Sequence, residues 1–258
     1  MDSARDPSAA TLPPATRDWA LFLDIDGTLL DLAATPDAVT VPSGLTRVMG
    51  DVAGELEGAL ALVSGRSIAW IDRTFAPLRL AAAGQHGAEL RLTHGGPVQA
   101  FPRTDDLAAI SQGLAAMVAQ WPGVVLEDKG ISLAVHFRLA PERAQDVRLL
   151  LEGAAAEAGE RFHLLPGKMV LELKPKASTK GRVVSTMMDV APFAGRRPVF
   201  VGDDRTDEDG FRAVLARGGL AVQVGPARSE LATHFVPGPA ALREWLASLP
   251  AALQRGAA

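Results

Sequence analysis

The sequence predicts an α/β fold: a parallel sheet flanked by helices, with a smaller α/β domain carrying an antiparallel sheet inserted in it. Three observations carry this expectation. Short apolar runs without polar alternation recur at Ala20–Leu23, Ala59–Val63, Leu80–Ala83, Val199–Gly202 and Leu220–Val224, as strands covered on both faces of a parallel sheet require. Most lead through a small polar turn into a helical pattern, the texture of β-α-β units. Between Pro102 and Pro175 the texture changes to helix-strand-strand, twice over. Domains are therefore expected at 18–102 with 175–258, and at 103–174, after a lead over 1–17.

The totals narrow the class. A chain of 258 residues, 48% apolar, can build one large core or two modest ones. A formal charge of −4 gives no electrostatic footprint for nucleic acid. There is no cysteine, so disulfides, thiolate zinc sites and cysteine nucleophiles are excluded. The Ala-, Ser-, Thr- and Pro-rich segment Met1–Asp18 lacks an apolar stretch and reads as a disordered lead instead of a signal peptide. No apolar run approaches the roughly 18 residues of a membrane span. The expectation is a cytoplasmic protein with no membrane partner.

The first strand ends in Asp24-Ile25-Asp26-Gly27-Thr28. Alternation aims Asp24 and Asp26 to one side at its carboxyl end, the edge where open α/β sheets bind ligands. Two carboxylates so close repel unless a cation or a shared proton relieves them. Pro42-Ser43 opens a helical pattern through Leu45, Val48, Met49, Val52 and Leu56, closed by Gly58. The second strand runs into Ser64-Gly65-Arg66-Ser67, where amides such as that of Gly65 and the Ser64 hydroxyl are able to converge on an anion; such turns are also common as plain structure. The third leads into Gly84-Gln85-His86-Gly87-Ala88-Glu89, with His86 in a tight loop. No second His or Cys stands at ligand spacing, so His86 either hydrogen-bonds or is structural. A hairpin is expected over 89–101 around Gly95-Gly96-Pro97.

In the insert, Thr104-Asp105-Asp106 starts a helix. Strands at Gly123–Glu127 and Ile131–Arg138 pair across Asp128-Lys129-Gly130. Pro141 opens a second helix to about Glu157. Phe162–Leu165 and Lys168–Lys174 pair across Pro166-Gly167. Carboxylates and ammoniums stand at these strand ends: Glu127, Lys129, Glu172 and Lys174. They suit sugar hydroxyls, or else cross-strand ion pairs of little worth. Only five of the 26 basic residues are Lys, and all five fall between positions 129 and 180. An ammonium is a compact point charge, suited to phosphate or a hydroxyl.

The α/β pattern then resumes. Ser178 is the expected N-cap of a helix whose first turn holds Lys180, where anions are favoured. Val199–Gly202 is followed by Asp203-Asp204-Arg205-Thr206-Asp207-Glu208, four acids in six residues. Hard oxygen ligands there suit Mg²⁺. Leu220–Val224 is the last strand expected, and Ala240–Leu249 the closing helix. Together Asp24, Asp26, Ser64, Lys180 and Asp203 fit phosphoryl transfer through an aspartyl-phosphate, a form of carboxylate nucleophilic catalysis. A cation and Lys180 would neutralise the repulsion between carboxylate and phosphate, and Asp26 would serve as acid and then base.

These residues resemble the haloacid dehalogenase superfamily of phosphotransferases, and the resemblance covers Trp19 to Phe101 and Pro175 to Leu249. Within it, Ser64-Gly65-Arg66-Ser67, Gly84 to Glu89, Glu127-Asp128-Lys129-Gly130, Gly167 to Pro175 and Gly202 to Glu208 are similar to the motifs of the trehalose-6-phosphate phosphatase family. The resemblance implies a Rossmann-like core with an α/β cap closing over the substrate on its two crossings. It implies Asp24 as nucleophile and Asp26 as acid/base. It implies Mg²⁺ held by Asp24, the Asp26 carbonyl and Asp203 with support from Asp207. Ser64, Gly65 and Lys180 would bind phosphate, and Glu127, Lys129 and Glu172 the distal glucose of trehalose 6-phosphate. Arg66 and His86 count among the substrate-binding residues, and a functional link to the synthase that makes the substrate is implied. Another sugar phosphate, or a non-catalytic sensor role, is the alternative.

Overall fold

The computed structural model describes residues 12, 14–33, 39–226 and 229–255. Most of the lead expected over 1–17 lies outside these. Within the described part Ala15 packs on the core, and Arg17 pairs with Glu55 at 2.6 Å. Two compact units form, Met1–Gln99 with Thr179–Ala258, and Ala100–Ser178.

The first unit opens with β1 (Trp19–Leu23), α1 (Leu45–Glu55), β2 (Leu60–Val63), α2 (Ile68–Thr74), β3 (Ala81–Gly84), β4 (Glu89–Arg91) and β5 (Gln99–Ala100). The second unit holds α3 (Asp105–Val118), β6 (Val125–Asp128), β7 (Leu133–His136), α4 (Ala144–Ala158), β8 (Phe162–Gly167) and β9 (Val170–Pro175). The chain then returns to the first with α5 (Lys180–Met188), β10 (Arg197–Gly202), α6 (Glu208–Leu215), β11 (Leu220–Val224), β12 (His234–Val236) and α7 (Pro239–Arg255).

The large sheet has the order β12-β11-β10-β1-β2-β3-β4-β5. From β12 to β3 every neighbouring pair is parallel, and β4 is antiparallel to β3. This is the α/β architecture the apolar runs predict. Every residue of β1, β2, β3 and β11 is buried, which is why those runs show no alternation. Phe22 stacks on Phe193 at 5.3 Å, and Phe200 meets Phe211 edge-on at 5.9 Å. Strand succession steps from β1 to β2 and β3 on one side and from β10 to β11 and β12 on the other. The order therefore reverses between β1 and β10, and ligands gather outside the strand ends at such a reversal. Leu23 is opposite Val201 there.

The second unit has the antiparallel sheet β6-β7-β9-β8, with α3 and α4 on one face. No helix among the described residues is long and apolar enough to cross a membrane.

Several local expectations are corrected. α1 starts after Gly44, at φ 83°, without a side-chain cap from Ser43. The N-cap of α5 is Thr179, whose hydroxyl accepts from the Arg182 amide, and Ser178 lies one residue outside. The β8–β9 turn is Lys168-Met169, since Gly167 pairs with Val170; Pro166-Gly167 belongs to the strand. A further strand, β12, follows β11, and the closing helix runs to Arg255, past Pro250.

Candidate active site

The site is built at the carboxyl ends of β1, β10 and β2. The Asp24 amide continues the ladder by donating to the Val201 carbonyl at 2.9 Å. The chain then turns sharply, with the Leu30 amide donating to Ile25 O at 2.9 Å and Gly27 N donating to Leu30 O at 2.8 Å. Gly27 has φ +83°, and a Cβ there would stand 2.2 Å from an Asp203 oxygen. Glycine at 27 is therefore what lets the Asp203 carboxylate approach the turn.

Lys180, in the first turn of α5, donates to Asp24 Oδ1 at 2.8 Å and to Asp207 Oδ1 at 2.6 Å. Both contacts are buried. The other Asp207 oxygen accepts from the amides of Asp203 and Asp204, each at 3.0 Å. Thr28 donates to Asp203 Oδ1 at 2.9 Å, and the buried Gln223 of β11 donates to the Asp203 carbonyl at 2.7 Å. Oxygens of Asp24, Asp203 and Asp207 lie within 4.8 Å of one another.

Three carboxylates thus share one ammonium. Burial, the largest influence, drives the Asp24 carboxyl well above its ordinary range; the Asp207 and Asp203 charges add to this and Lys180 opposes it. Burial and then the Asp207 charge push Asp203 up to about 6, against the Thr28 hydrogen bond. For Lys180, burial disfavours the ammonium, but Asp207 and Asp24 outweigh it and hold the group above its ordinary value. A buried cluster with excess negative charge and hard oxygen donors fits a divalent cation. Asp207 has both oxygens engaged by Lys180 and the two amides, so it acts on the cluster through those contacts. The Asp26 carboxylate is outside the cluster; its expected part there was its main-chain carbonyl.

β2 carries the second motif. The Ser64 amide donates to Ala83 O at 2.9 Å, and its buried hydroxyl oxygen accepts from the Arg66 amide at 3.1 Å. Arg66 Nε and Nη2 each reach an Asp26 oxygen at 2.8 Å, a bidentate fork, and the guanidinium lies 4.5 Å over Trp70. The sequence assigns Arg66 to substrate; the structure shows it gripping Asp26. His86 sits at φ 57° in the 3₁₀ turn after β3, and its amide donates to Ser64 O at 2.9 Å. A Cβ on Gly65 would meet His86 Nε2 at 2.8 Å, so the imidazole packs directly on the Ser64-Gly65 turn. Glu89 fixes this loop, accepting from Ile68 N at 2.6 Å and Gln85 Nε2 at 2.9 Å.

The remaining expected residues lie in the second unit. Glu127 and Glu172 both face Ala134 across the sheet and share one side of it. Glu127 contacts His136 at 2.9 Å, and Lys129 reaches Glu172 at 3.3 Å. Ser132 donates to the other Glu172 oxygen at 2.7 Å. Thr28, Gln223 and Ser132 carry no functional expectation from the sequence. Thr28 stands inside the first motif, yet no spacing tells that its hydroxyl reaches an acid 175 positions away.

The α/β plan, with a lysine-bound acidic cluster beyond its first strand and an inserted second unit, shares its fold with a solved haloacid dehalogenase-like hydrolase of Bacteroides thetaiotaomicron, at a TM-score of 0.64 and 12% identity over 88% of this chain and 97% of that one. More narrowly, residues 22–235 match the model of the trehalose-phosphatase family, and the chain belongs to that family. It is 45% identical over 233 residues to a probable trehalose-phosphate phosphatase of Sinorhizobium fredii, covering 90% of this chain and 88% of that one. It is 38% identical over 244 residues to the trehalose-6-phosphate phosphatase of Escherichia coli, covering 94% and 91%. A solved trehalose-6-phosphate phosphatase related protein superposes with a TM-score of 0.77 at 24% identity, over 92% of this chain and 99% of that one.

Proposed function

We propose that the protein hydrolyses trehalose 6-phosphate to trehalose and phosphate through a phosphoryl group carried on Asp24. The observation that carries this is the buried Asp24–Lys180 contact beside Asp203 and Asp207, in a chain of the trehalose-phosphatase family. Mg²⁺ is assigned to Asp24, the Asp26 carbonyl and Asp203, where its charge would offset the repulsion between carboxylate and phosphate dianion. Lys180 adds a fixed positive charge on the attacking carboxylate and keeps one oxygen oriented. The Ser64 hydroxyl and the Gly65 amide hold the phosphoryl oxygens, with Arg66 and His86 flanking them. An Asp24 oxygen attacks phosphorus as the bond to the sugar oxygen breaks, and that oxygen takes a proton from Asp26. Asp26 then accepts a proton from the water that attacks phosphorus, which returns Asp24 as a carboxylate and releases phosphate. The Arg66 fork occupies both oxygens of Asp26 as a carboxylate, the form that takes the proton from water; to carry a proton to the sugar oxygen, Asp26 has to free one oxygen from that fork.

Glu127, Lys129 and Glu172 are assigned to the distal glucose, which makes the second unit the source of specificity. A cytoplasmic setting and a synthase that supplies the substrate belong to the same reading. Phosphate release from trehalose 6-phosphate, glucose 6-phosphate, sucrose 6-phosphate and p-nitrophenyl phosphate, each with Mg²⁺, tests it. A strong preference for the first is expected, and Glu127→Ala should reduce that preference. Equal release from all four would keep the hydrolase and discard the sugar assignment; release from none would favour a sensor.

A further inference from the structure

Strand register sorts the second unit's sheet into two faces. Direct cross-strand partners share a face, so the rows Glu127–Ala134–Glu172–Leu165 and Val125–His136–Val170–Gly167 lie on one side. The opposite side carries Leu126, Leu133, Val135, Leu171 and Leu173, which pack into the core built with α3 and α4. Ser132 precedes Ala134 by two residues and falls on the polar face, where it is buried.

Both oxygens of Glu172 are held from one short turn, residues 128–132. Ser132 Oγ donates to Oε1 at 2.7 Å, and Lys129 Nζ reaches Oε2 at 3.3 Å. The Lys129 amide donates to the Ser132 carbonyl at 3.0 Å, which closes the turn. The turn is fixed independently from the other face: Asp128 accepts from Gly130 N at 2.8 Å, Ser111 at 2.5 Å and the Arg103 fork at 2.7 and 3.0 Å. Loss of the Ser132 hydroxyl therefore leaves the turn standing and removes one donor from Glu172 Oε1.

We infer that Ser132 is a positioning residue for sugar recognition, acting through Glu172. At 3.3 Å the Lys129–Glu172 pair is longer than a tight charge-assisted bond of about 2.7–2.9 Å. The Ser132 hydroxyl draws the carboxylate away from the ammonium, so that each keeps hydrogen-bonding capacity for ligand hydroxyls. Without it the two close into a tight ion pair that satisfies itself. The inference rests on the assignment of Glu172 to the sugar.

The test compares Ser132→Ala, Glu172→Ala and the double variant with the parent enzyme. The readout is kcat/KM for trehalose 6-phosphate divided by that for p-nitrophenyl phosphate, with thermal melting as the check on folding. Ser132→Ala is expected to lower the ratio roughly tenfold, mainly through KM, the scale for one hydrogen bond to a charged group. The double variant is expected to match Glu172→Ala. If Ser132→Ala melts early, Ser132→Cys keeps the volume, removes the strong donor and should give the same fall. A ratio that drops in Glu172→Ala but not in either Ser132 variant overturns the inference alone. A ratio unmoved by Glu172→Ala overturns the sugar assignment, and the inference with it.

Discussion

Asp24 owes its setting to three contacts made far along the chain: Lys180 directly, Asp207 through the same ammonium, and Asp203 through shared charge. Asp24→Asn keeps the shape and removes the proposed nucleophile, so turnover should fall by roughly 10⁴-fold or more with the fold intact; residual activity near the parent level would assign the phosphoryl group elsewhere. Excess negative charge in the cluster also makes a cation stabilising. Mg²⁺ should stabilise the parent protein at neutral pH by about 2.7 kcal/mol at a hundredfold excess over Kd, read as a rise in melting temperature. In Asp203→Asn most of that shift should vanish; an equal shift in both would place the cation away from Asp203. At this scale the sequence is legible where chemistry is local. Asp24, Asp26, Ser64 and Asp203 each follow a recognisable apolar run, and Lys180 opens a recognisable helix. The Arg66–Asp26 fork and the Thr28–Asp203 bond join distant positions by side-chain reach, and no periodicity encodes them.

Elements carry their own dependence on pH. Arg91 of β4, fully buried, forks Asp72 of α2 at 2.7 and 2.8 Å and donates to the Leu80 carbonyl at 2.7 Å. The Arg91 hydrogen bond holds the Asp72 carboxyl below its ordinary value, with burial opposing. A depressed acid stabilises the fold above its unfolded value, near 4, and that contribution is lost as pH falls through the lower folded value. Asp72→Asn should therefore cost about 3 kcal/mol in denaturant unfolding at pH 7, because it strands a buried guanidinium. The gap to the parent should narrow below pH 4; a gap of the same size there would contradict the pairing. Elements were readable where burial is uniform, as in β1, β2 and β11. β12 escaped because it has three residues, two of them only half-buried. The Lys168-Met169 turn escaped because Met169 takes φ 63°, a conformation that sequence signals assign to glycine. Ser178 is the better cap by type, and backbone geometry nevertheless places Thr179 at the N-cap.

For the whole molecule the proposed reading assigns one task to each unit. The first unit gathers the reacting groups at the reversal between β1 and β10, and the proposed chemistry needs only those groups. The second unit presents Glu127, Lys129 and Glu172 from a sheet whose opposite face forms its own core, so the proposed sugar recognition would be able to change without disturbing the proposed chemistry. The proposed chemistry depends on phosphorus passing through Asp24. The most direct measurement is acid quench of the enzyme during turnover of trehalose 6-phosphate with Mg²⁺, followed by peptide mass spectrometry. The account predicts one added phosphoryl group on the peptide carrying Asp24, absent from Asp24→Asn. Steady turnover with no phosphorylated peptide, or with the group on another residue, would contradict it.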